Sequence, residues 1–185
     1  MSVKLGRREL GWGNFNSTWQ RVLMDHLGEE NLGKEKIENI QFLSELDFNG
    51  YHVKSIRPVM CLPQLESLFM SQTEVKDPTP LQFLPNLKTL CASYSLIKDW
   101  RVLEKVPQLE VLDLSFPRFC RKIRLPRFEK MTNLRELYIN GCNIKTMDGF
   151  SDLENLEKLS LNFNKIRPED ISRFSVRNSQ CQIIA

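Results

Sequence analysis

Residues 134–144 read LRELYINGCNI, and residues 156–166 read LEKLSLNFNKI. Both segments have Leu at the first and fourth positions, and Ile or Leu at the sixth and eleventh positions. Four earlier copies share this pattern, so the six repeats begin at Leu43, Leu65, Leu87, Leu109, Leu134 and Leu156. The starts are 22 residues apart, except for one interval of 25. A fixed period in this range is typical of a solenoid built from stacked repeats.

The apolar positions of each repeat divide into a strand and a helical link. Alternation at the fourth and sixth positions predicts a short strand, whereas a spacing of three in the links predicts a helical or 3-10 turn. The link positions are Ile40, Leu62, Leu84, Val106, Met131 and Leu153, with Ile37, Val59, Leu81, Leu103, Phe128 and Phe150 three residues earlier. We therefore predict parallel strands with short crossovers, each repeat burying its face on its neighbours.

The pattern LxxLxLxx(N/C)x(L/I/V) at this spacing resembles the leucine-rich repeat family, in its short class of internalins and phosphatase regulatory subunits. The resemblance covers about residues 37–166. It implies an α/β fold: a right-handed leucine-rich-repeat solenoid with a curved parallel sheet on its concave side and short helices or 3-10 turns on its convex side. The family's Asn or Cys column reads Tyr51, Thr73, Ser95, Pro117, Cys142 and Asn164, which makes Cys142 a turn residue.

The two ends of the repeat array need covering elements, because an open solenoid exposes its terminal faces. We assign residues 1–36 to an N-terminal helical cap, residues 37–166 to the repeats and residues 167–185 to a C-terminal cap. In the first cap, Ser17 and Gln20 have the spacing of a capping box, and Gly28 fits a helix stop. In the second, we expect Pro168 to begin a helix through Phe174, and residues 180–185 to add a last strand.

Composition narrows the class of protein. The chain has 185 residues, 41% of them hydrophobic, and 26 Lys and Arg against 23 Asp and Glu, which argues against a disordered chain. No stretch approaches the ~20 apolar residues of a membrane-spanning helix, and residues 1–8 lack the apolar centre of a secretory signal. We therefore expect no membrane span, and a location that is cytoplasmic or reached by export without a recognisable signal peptide. We also expect reduced cysteines and a free chain that is monomeric.

The concave face is the predicted partner-binding surface, because strand side chains that point away from the core line it. Its polar and aromatic mixture is typical of protein-binding hot spots. Phe69 beside Cys91 and Asp113 beside Tyr138 are the expected central neighbours. The predicted binding residues are Glu45, Asp47, Phe69, Cys91, Tyr94, Asp113, Glu136, Tyr138 and Lys158.

Residues 118–130, which we call the basic loop, form a second candidate surface. They coincide with the longer repeat and carry six cations against Glu129, whereas the whole chain has a net charge of only +3. The cations are Arg118, Arg121, Lys122, Arg124, Arg127 and Lys130. An acidic protein, nucleic acid or an anionic membrane surface could bind there. The alternative is a solvated loop whose Phe119, Ile123, Leu125 and Phe128 turn inward.

Catalysis is not favoured by the residues present. The chain has two histidines, His26 and His52, and lacks G-x-S-x-G, phosphate-loop and H-E-x-x-H motifs. Concave carboxylates could in principle act as acid and base, and Cys91 could act as a nucleophile only with a lowered pKa. We predict a protein that is not an enzyme and uses no cofactor or metal.

The resemblance implies a range of uses, including phosphatase regulatory subunits, adaptors, bacterial surface or injected virulence factors, and ribonucleoprotein components. We predict a protein–protein interaction module that binds another protein on its concave face. The alternative is a nucleic-acid-associated scaffold that uses the basic loop.

Overall fold

The computed structural model describes the backbone of residues 2–5 and 8–11 and all of residues 15–30, 40–150 and 152–185. Strands β1 (Ser2–Leu5) and β2 (Arg8–Gly11) form an antiparallel pair ahead of the repeats. Helix α1 (Ser17–Leu27) follows, so the predicted N-terminal helix is confirmed. Among the described helices, none is long and apolar enough to cross a membrane.

One strand of each repeat joins a parallel sheet. In the described part of the chain this sheet has seven strands in sequence order and does not close on itself. The strands are β3 (Glu45–Asp47), β4 (Ser67–Phe69), β5 (Thr89–Cys91), β6 (Val111–Asp113), β7 (Glu136–Tyr138), β8 (Lys158–Ser160) and β9 (Gln182–Ile184). Equal repeat positions lie side by side, as Leu46, Leu68 and Leu90 do. The predicted solenoid is confirmed.

The fourth-position leucines form the centre of the core because a strand only three residues long points one side chain inward. All six are completely buried: Leu46, Leu68, Leu90, Leu112, Leu137 and Leu159. Full burial of one leucine side chain stabilises the fold by about 1.5–3 kcal/mol. Each repeat thus contributes a similar increment to the stack.

Short 3-10 helices form most of the opposite side, as the spacing of three predicts. They span Ile40–Phe42, Arg57–Cys61, Thr79–Phe83, Arg101–Lys105 and Phe128–Lys130. The link positions of both columns are buried wherever they are described, while Ile37 lies outside the described residues. Side-chain hydrogen bonds that the sequence interpretation missed close the turn before each of the strands β5 to β8. The side-chain amides of Asn86, Gln108, Asn133 and Asn155 each donate, at 2.9 Å, to a carbonyl of the preceding repeat.

The N-terminal helix begins one residue earlier than the capping-box prediction. Asn16 has an extended backbone, and its side-chain oxygen accepts a hydrogen bond from Trp19 N at 3.0 Å, whereas Ser17 is already helical. Gly28 ends the helix in a left-handed conformation, as predicted. Trp19 Nε1 donates to Ser55 O at 2.8 Å, and its ring meets Phe48 edge-on at 5.1 Å. Helix α1 therefore covers the core of the first repeat.

The C-terminal elements follow the prediction closely. Helix α2 (Pro168–Arg177) begins at the expected proline and extends one further turn beyond Phe174. Strand β9 then pairs with β8 and completes the described sheet.

The longer repeat changes the environment of Phe119. We expected this ring in the core, yet it is 38% exposed, and Lys98 Nζ lies 4.5 Å from its centre. The three extra residues displace it, because the chain regains the repeat register only at Arg124. The Arg124 N–H donates to Lys98 O at 2.7 Å, and its carbonyl accepts from Trp100 N at 2.8 Å. Phe128 is buried as expected, whereas Ile123 and Leu125 are only half-buried.

Candidate functional site

Two rows of outward-pointing side chains cross the sheet, and together they form the concave face. The third strand positions give the row Glu45, Ser67, Thr89, Val111, Glu136, Lys158 and Gln182. The fifth positions give the row Asp47, Phe69, Cys91, Asp113, Tyr138, Ser160 and Ile184. The structure places Phe69 beside Cys91 and Asp113 beside Tyr138, as the repeat spacing predicted.

Exposure differs along these rows. Glu45 and Asp47 are exposed, and Phe69, Cys91 and Asp113 are half-buried. Half-buried side chains on a strand are partly held by their neighbours yet remain accessible to a partner. The centre of the face therefore offers an aromatic ring, a thiol and a carboxylate in adjacent strands.

Tyr138 lies at the centre of a polar cluster. Its hydroxyl donates a short hydrogen bond to the Glu136 carboxylate, and Lys158 Nζ lies 5.2 Å from its ring centre. Burial, together with the hydrogen bond to Glu136, raises the pKa of Tyr138. The tyrosine is therefore neutral at physiological pH and is held in one orientation.

The thiol of Cys91 is unsuited to nucleophilic chemistry. Burial raises its pKa to about 11, and the carboxylates of Asp113, Asp47 and Glu136 act in the same direction. A nucleophilic cysteine requires a lowered pKa because the thiolate is the reactive form. At neutral pH Cys91 instead presents a small, weakly polar contact surface. Within the described residues, no group of three or more His, Cys, Asp or Glu side chains is arranged to hold a metal ion.

Seventh-position residues serve the backbone more than the surface. Ser71 N donates to Asn49 Oδ1 at 2.6 Å, and Ser93 N donates to Ser71 Oγ at 3.1 Å. Further along, Asn140 Nδ2 donates to Ser115 Oγ at 3.1 Å. These side chains link one repeat to the next, and Ser115 is buried. We therefore assign them a structural role.

Tyr94 does not lie on the strand rows. It follows β5 by three residues and belongs to the eighth positions, where the backbone leaves the sheet. All six of these residues have positive φ, from 53° to 74°: Gly50, Gln72, Tyr94, Phe116, Gly141 and Phe163. Three of the six are aromatic, and we call Tyr94, Phe116 and Phe163 the aromatic row.

The rings of the aromatic row contact one another. Tyr94 and Phe116 stack at a centroid distance of 5.3 Å and an interplanar angle of 17°, and Phe116 lies 5.7 Å from Phe163. Gly141 makes the second contact feasible, since a Cβ there would lie 2.9 Å from Phe116 Cδ1. Phe163 nevertheless remains 80% exposed.

Half of the cations in the basic loop are paired within the chain. Arg127 and Lys130 each lie 3.2 Å from a Glu104 oxygen, and Arg124 lies 3.7 Å from Asp99. The hydrogen bond from Arg127 is the main cause that lowers the pKa of Glu104 to about 2. These ion pairs therefore hold the basic loop against the preceding repeat.

The other three cations of the loop point to solvent. Arg118, Arg121 and Lys122 are exposed and make no ion pair with any described residue. A nucleic-acid role for the loop stays a prediction, and only these three cations are free to serve it.

A column of cations escaped the sequence interpretation. Outward positions continue beyond the aromatic row, at the tenth and twelfth residues of each repeat. The twelfth positions of five repeats are Lys54, Lys76, Lys98, Lys145 and Arg167. The 22-residue spacing of Lys54, Lys76 and Lys98, and of Lys145 and Arg167, is present in the sequence. The interpretation gave weight to the denser charge in residues 118–130 instead. We call the outward eighth, tenth and twelfth positions together the exit edge.

Comparisons with known proteins agree with this architecture. A family model described as leucine-rich repeats (2 copies) matches residues 132–175, and no curated protein matches the chain. An internalin (inlF) from Listeria monocytogenes superposes with a TM-score of 0.61 and 21% identity, over 72% of this chain and 38% of its own. A leucine-rich repeat protein from Leptospira interrogans gives a TM-score of 0.60 and 20% identity, over 82% and 45%.

A third solved structure has a length closer to that of this chain. Internalin C2 (inlC2) from Listeria monocytogenes gives a TM-score of 0.53 and 17% identity, over 91% of this chain and 92% of its own. The chain spans less than half the length of the first two structures. At these identities the similarity concerns the fold.

Proposed function

We propose that this chain, a leucine-rich repeat protein by its sequence repeat and its fold, is a non-enzymatic interaction module that binds a protein partner on its concave face. Adaptor, regulatory and effector-like roles all fit this proposal. Leucine-rich repeat proteins commonly mediate interactions between proteins, which gives the proposal its general basis.

The in-register fifth-position row is the observation that carries the proposal. It brings Phe69, Cys91, Asp113 and Tyr138 into adjacent strands, where each is half-buried. Neighbouring strands lie about 4.8 Å apart, so these four side chains form one continuous patch. An aromatic ring and a fixed tyrosine at the two ends of this patch, with a carboxylate next to the tyrosine, resemble the composition of a binding hot spot.

The charge of the concave face indicates which kind of partner surface it would bind. The two strand rows carry the carboxylates of Glu45, Asp47, Asp113 and Glu136 against the single cation Lys158. Burial is the main cause of the raised pKa of Cys91, and three of these carboxylates add to it, so the potential at Cys91 is negative. We infer a partner that presents basic residues around an apolar side chain that contacts Phe69.

The experiment compares the intact chain with the variant Phe69→Ala, Asp113→Ala, Tyr138→Ala in affinity capture from the native cell. We expect the partner captured by the intact chain to be lost by this variant. Because the three side chains are half-buried, the loss of stability should be smaller than at a fully buried position, although the variant removes the hydrogen bond from Ser115 N to Asp113 Oδ1 at 2.8 Å.

A matched control substitutes exposed side chains away from the concave face: Phe83→Ala, Lys105→Ala and Arg177→Ala. This control should retain the partner. Equal recovery of the partner by the concave variant and the intact chain would place the binding site elsewhere. The cytoplasmic location, the monomeric state and the division into caps and repeats remain predictions.

A further inference from the structure

The outward positions of the exit edge form continuous lines along the molecule. Between them, the ninth and eleventh positions point inward, and Thr73, Val75, Ser95 and Ile97 are all buried. Backbone hydrogen bonds keep successive repeats stacked here, such as Lys165 N to Ile144 O at 2.7 Å. The eighth, tenth and twelfth residues therefore share one surface, within about 13 Å of one another along the chain.

This surface is strongly basic. The tenth and twelfth positions carry seven cations and one carboxylate, Glu74: the cations are Lys54, Lys76, Lys98, Arg118, Lys145, Lys165 and Arg167. Glu74 is already engaged, since its carboxylate contacts His52 at 2.7 Å and Lys54 at 3.8 Å. Lys76, Lys145 and Lys165 are exposed and make no ion pair with a described residue.

The aromatic row borders these cations and has an unfavourable backbone. A left-handed conformation costs a residue with a side chain about 1–2 kcal/mol, which is why Gly50 and Gly141 suit the same turn. Tyr94, Phe116 and Phe163 occupy it at φ values of 55°, 53° and 61°. Burial offsets little of this cost at Phe163, which is 80% exposed. Because all six eighth positions have positive φ, the turn itself requires this conformation, and what it leaves unexplained is the presence of aromatic residues at three of them.

We propose that the exit edge is a second docking surface, which binds an acidic segment of a partner protein. Apolar side chains of the segment pack on the aromatic row, and its carboxylates pair with the cations of the tenth and twelfth positions. An open depression of about 720 Å³ lies beside this surface, and its lining combines Lys76, Lys98 and Phe119 with the carboxylates of Asp77 and Asp99. This surface is separate from the concave face and opposite to it in charge, so the proposal is independent of the one above.

The ring geometry favours a protein over a single-stranded nucleic acid. Nucleic-acid bases bind by stacking on free aromatic faces. The near-parallel faces of Tyr94 and Phe116 are turned towards each other, and the space beside Gly141 is filled by Phe116. The faces by which Tyr94 and Phe116 contact each other are therefore closed to a base, and the exposed surface of Phe163 is left to pack against apolar side chains of a partner.

To test the proposal, a random-peptide display library is selected for binding to the full chain. The sequences of the enriched peptides then show which chemistry the surface binds. We expect the enriched peptides to be rich in Asp and Glu with interspersed apolar residues. Synthesised and labelled, they should bind at least about tenfold more weakly to the variant Lys76→Glu, Lys145→Glu, Lys165→Glu, as expected for lost charge pairs. Replacement of Phe163 by Gly should weaken binding as well.

Two controls make the test specific. The variant Arg57→Glu, Lys105→Glu, Arg177→Glu changes net charge equally, at exposed cations that make no ion pair with a described residue and lie away from the exit edge, and it should bind the peptides normally. The concave variant Phe69→Ala, Asp113→Ala, Tyr138→Ala should also bind them normally, which separates the two proposals. Peptides without acidic bias, the absence of any enriched peptide, equal binding by the exit-edge variant, or tighter binding of oligouridine than of the peptides would overturn the inference.

Discussion

Glycine at an eighth position can serve the backbone conformation alone or also make room for a neighbouring side chain. Substitution by alanine, which adds one methyl group, distinguishes the two roles. Gly50 and Gly141 both have positive φ, at 74° and 64°. A Cβ at Gly50 would meet no atom within 4 Å, whereas one at Gly141 would lie 2.9 Å from Phe116 Cδ1. Only the second glycine also makes room for a neighbouring ring.

We expect Gly50→Ala to lower the free energy of unfolding by about 1 kcal/mol through backbone strain alone. Gly141→Ala should cost a further ~1–3 kcal/mol, because the methyl group forces the Phe116 ring to move. Urea denaturation of both variants measures the difference. Equal losses would mean that Phe116 yields without cost, and the aromatic row would then be a loose arrangement.

Replacement of Phe163 should change the free energy of unfolding little, so its effect on binding can be measured separately. Its replacement by Gly relieves about 1 kcal/mol of backbone strain and loses about 0.5–1.5 kcal/mol of ring contact with Phe116, so the two effects nearly cancel. Phe128, which is buried, provides the contrast, since Phe128→Ala should cost about 3–5 kcal/mol. Thermal unfolding of the two variants compares them, and a loss above about 2 kcal/mol for Phe163→Gly would indicate a structural role for its ring.

At the scale of one element, two of the three paired cations in the basic loop share a single carboxylate. Glu104 lies on the 3-10 helix Arg101–Lys105 and contacts both Arg127 and Lys130. Its pKa in the folded protein, about 2, lies below its ordinary value of 4.5. The stabilisation from this group is therefore complete above pH 4.5 and is lost as the pH falls towards 2.

We expect the intact chain to be more stable than Glu104→Gln at pH 7 and the difference to disappear between pH 4.5 and about 2. Denaturant titrations across this range measure it. Glu66→Gln, which loses a single contact to Lys88 at 2.9 Å, serves as a surface control and should change the free energy of unfolding at pH 7 by less than Glu104→Gln does. A constant gap between Glu104→Gln and the intact chain would show that the ion pairs do not hold the loop.

The elements also show how far the sequence predicts this fold. Strand positions, register and the buried leucines follow from the 22-residue period, because every copy repeats the same inward positions. Phe119 was assigned wrongly since the period alone does not reveal where three inserted residues leave the core. Asn16 was missed because two adjacent residues could both cap the helix, and only the backbone conformation distinguishes them.

The candidate site was predictable only in part for a related reason. Lateral pairs such as Asp113 and Tyr138 follow from the register. The arrangement of the aromatic row could not be predicted in this way, because it depends on ring stacking and on positive φ. The residue types at the repeat positions show neither.

At the scale of the whole molecule, each described strand of the parallel sheet pairs only with the strands next to it in sequence, which predicts how far a local loss of stability spreads. Leu112 and Leu68 are both completely buried, in β6 and β4. Each substitution by Ala should cost about 2–5 kcal/mol. In a stacked array, that loss should concentrate in the mutated repeat and the repeats that pack on it.

We therefore expect protection from native-state hydrogen exchange to fall mainly in β5–β7 for Leu112→Ala and mainly in β3–β5 for Leu68→Ala. The overlap at β5 serves as an internal reference, since both substitutions should affect that strand. A uniform loss in both variants would contradict this, because it would mean that the chain unfolds as a single unit. Strands β8 and β9 are the most informative region. They should keep their protection in Leu68→Ala, because two or more intact repeats separate them from the altered core.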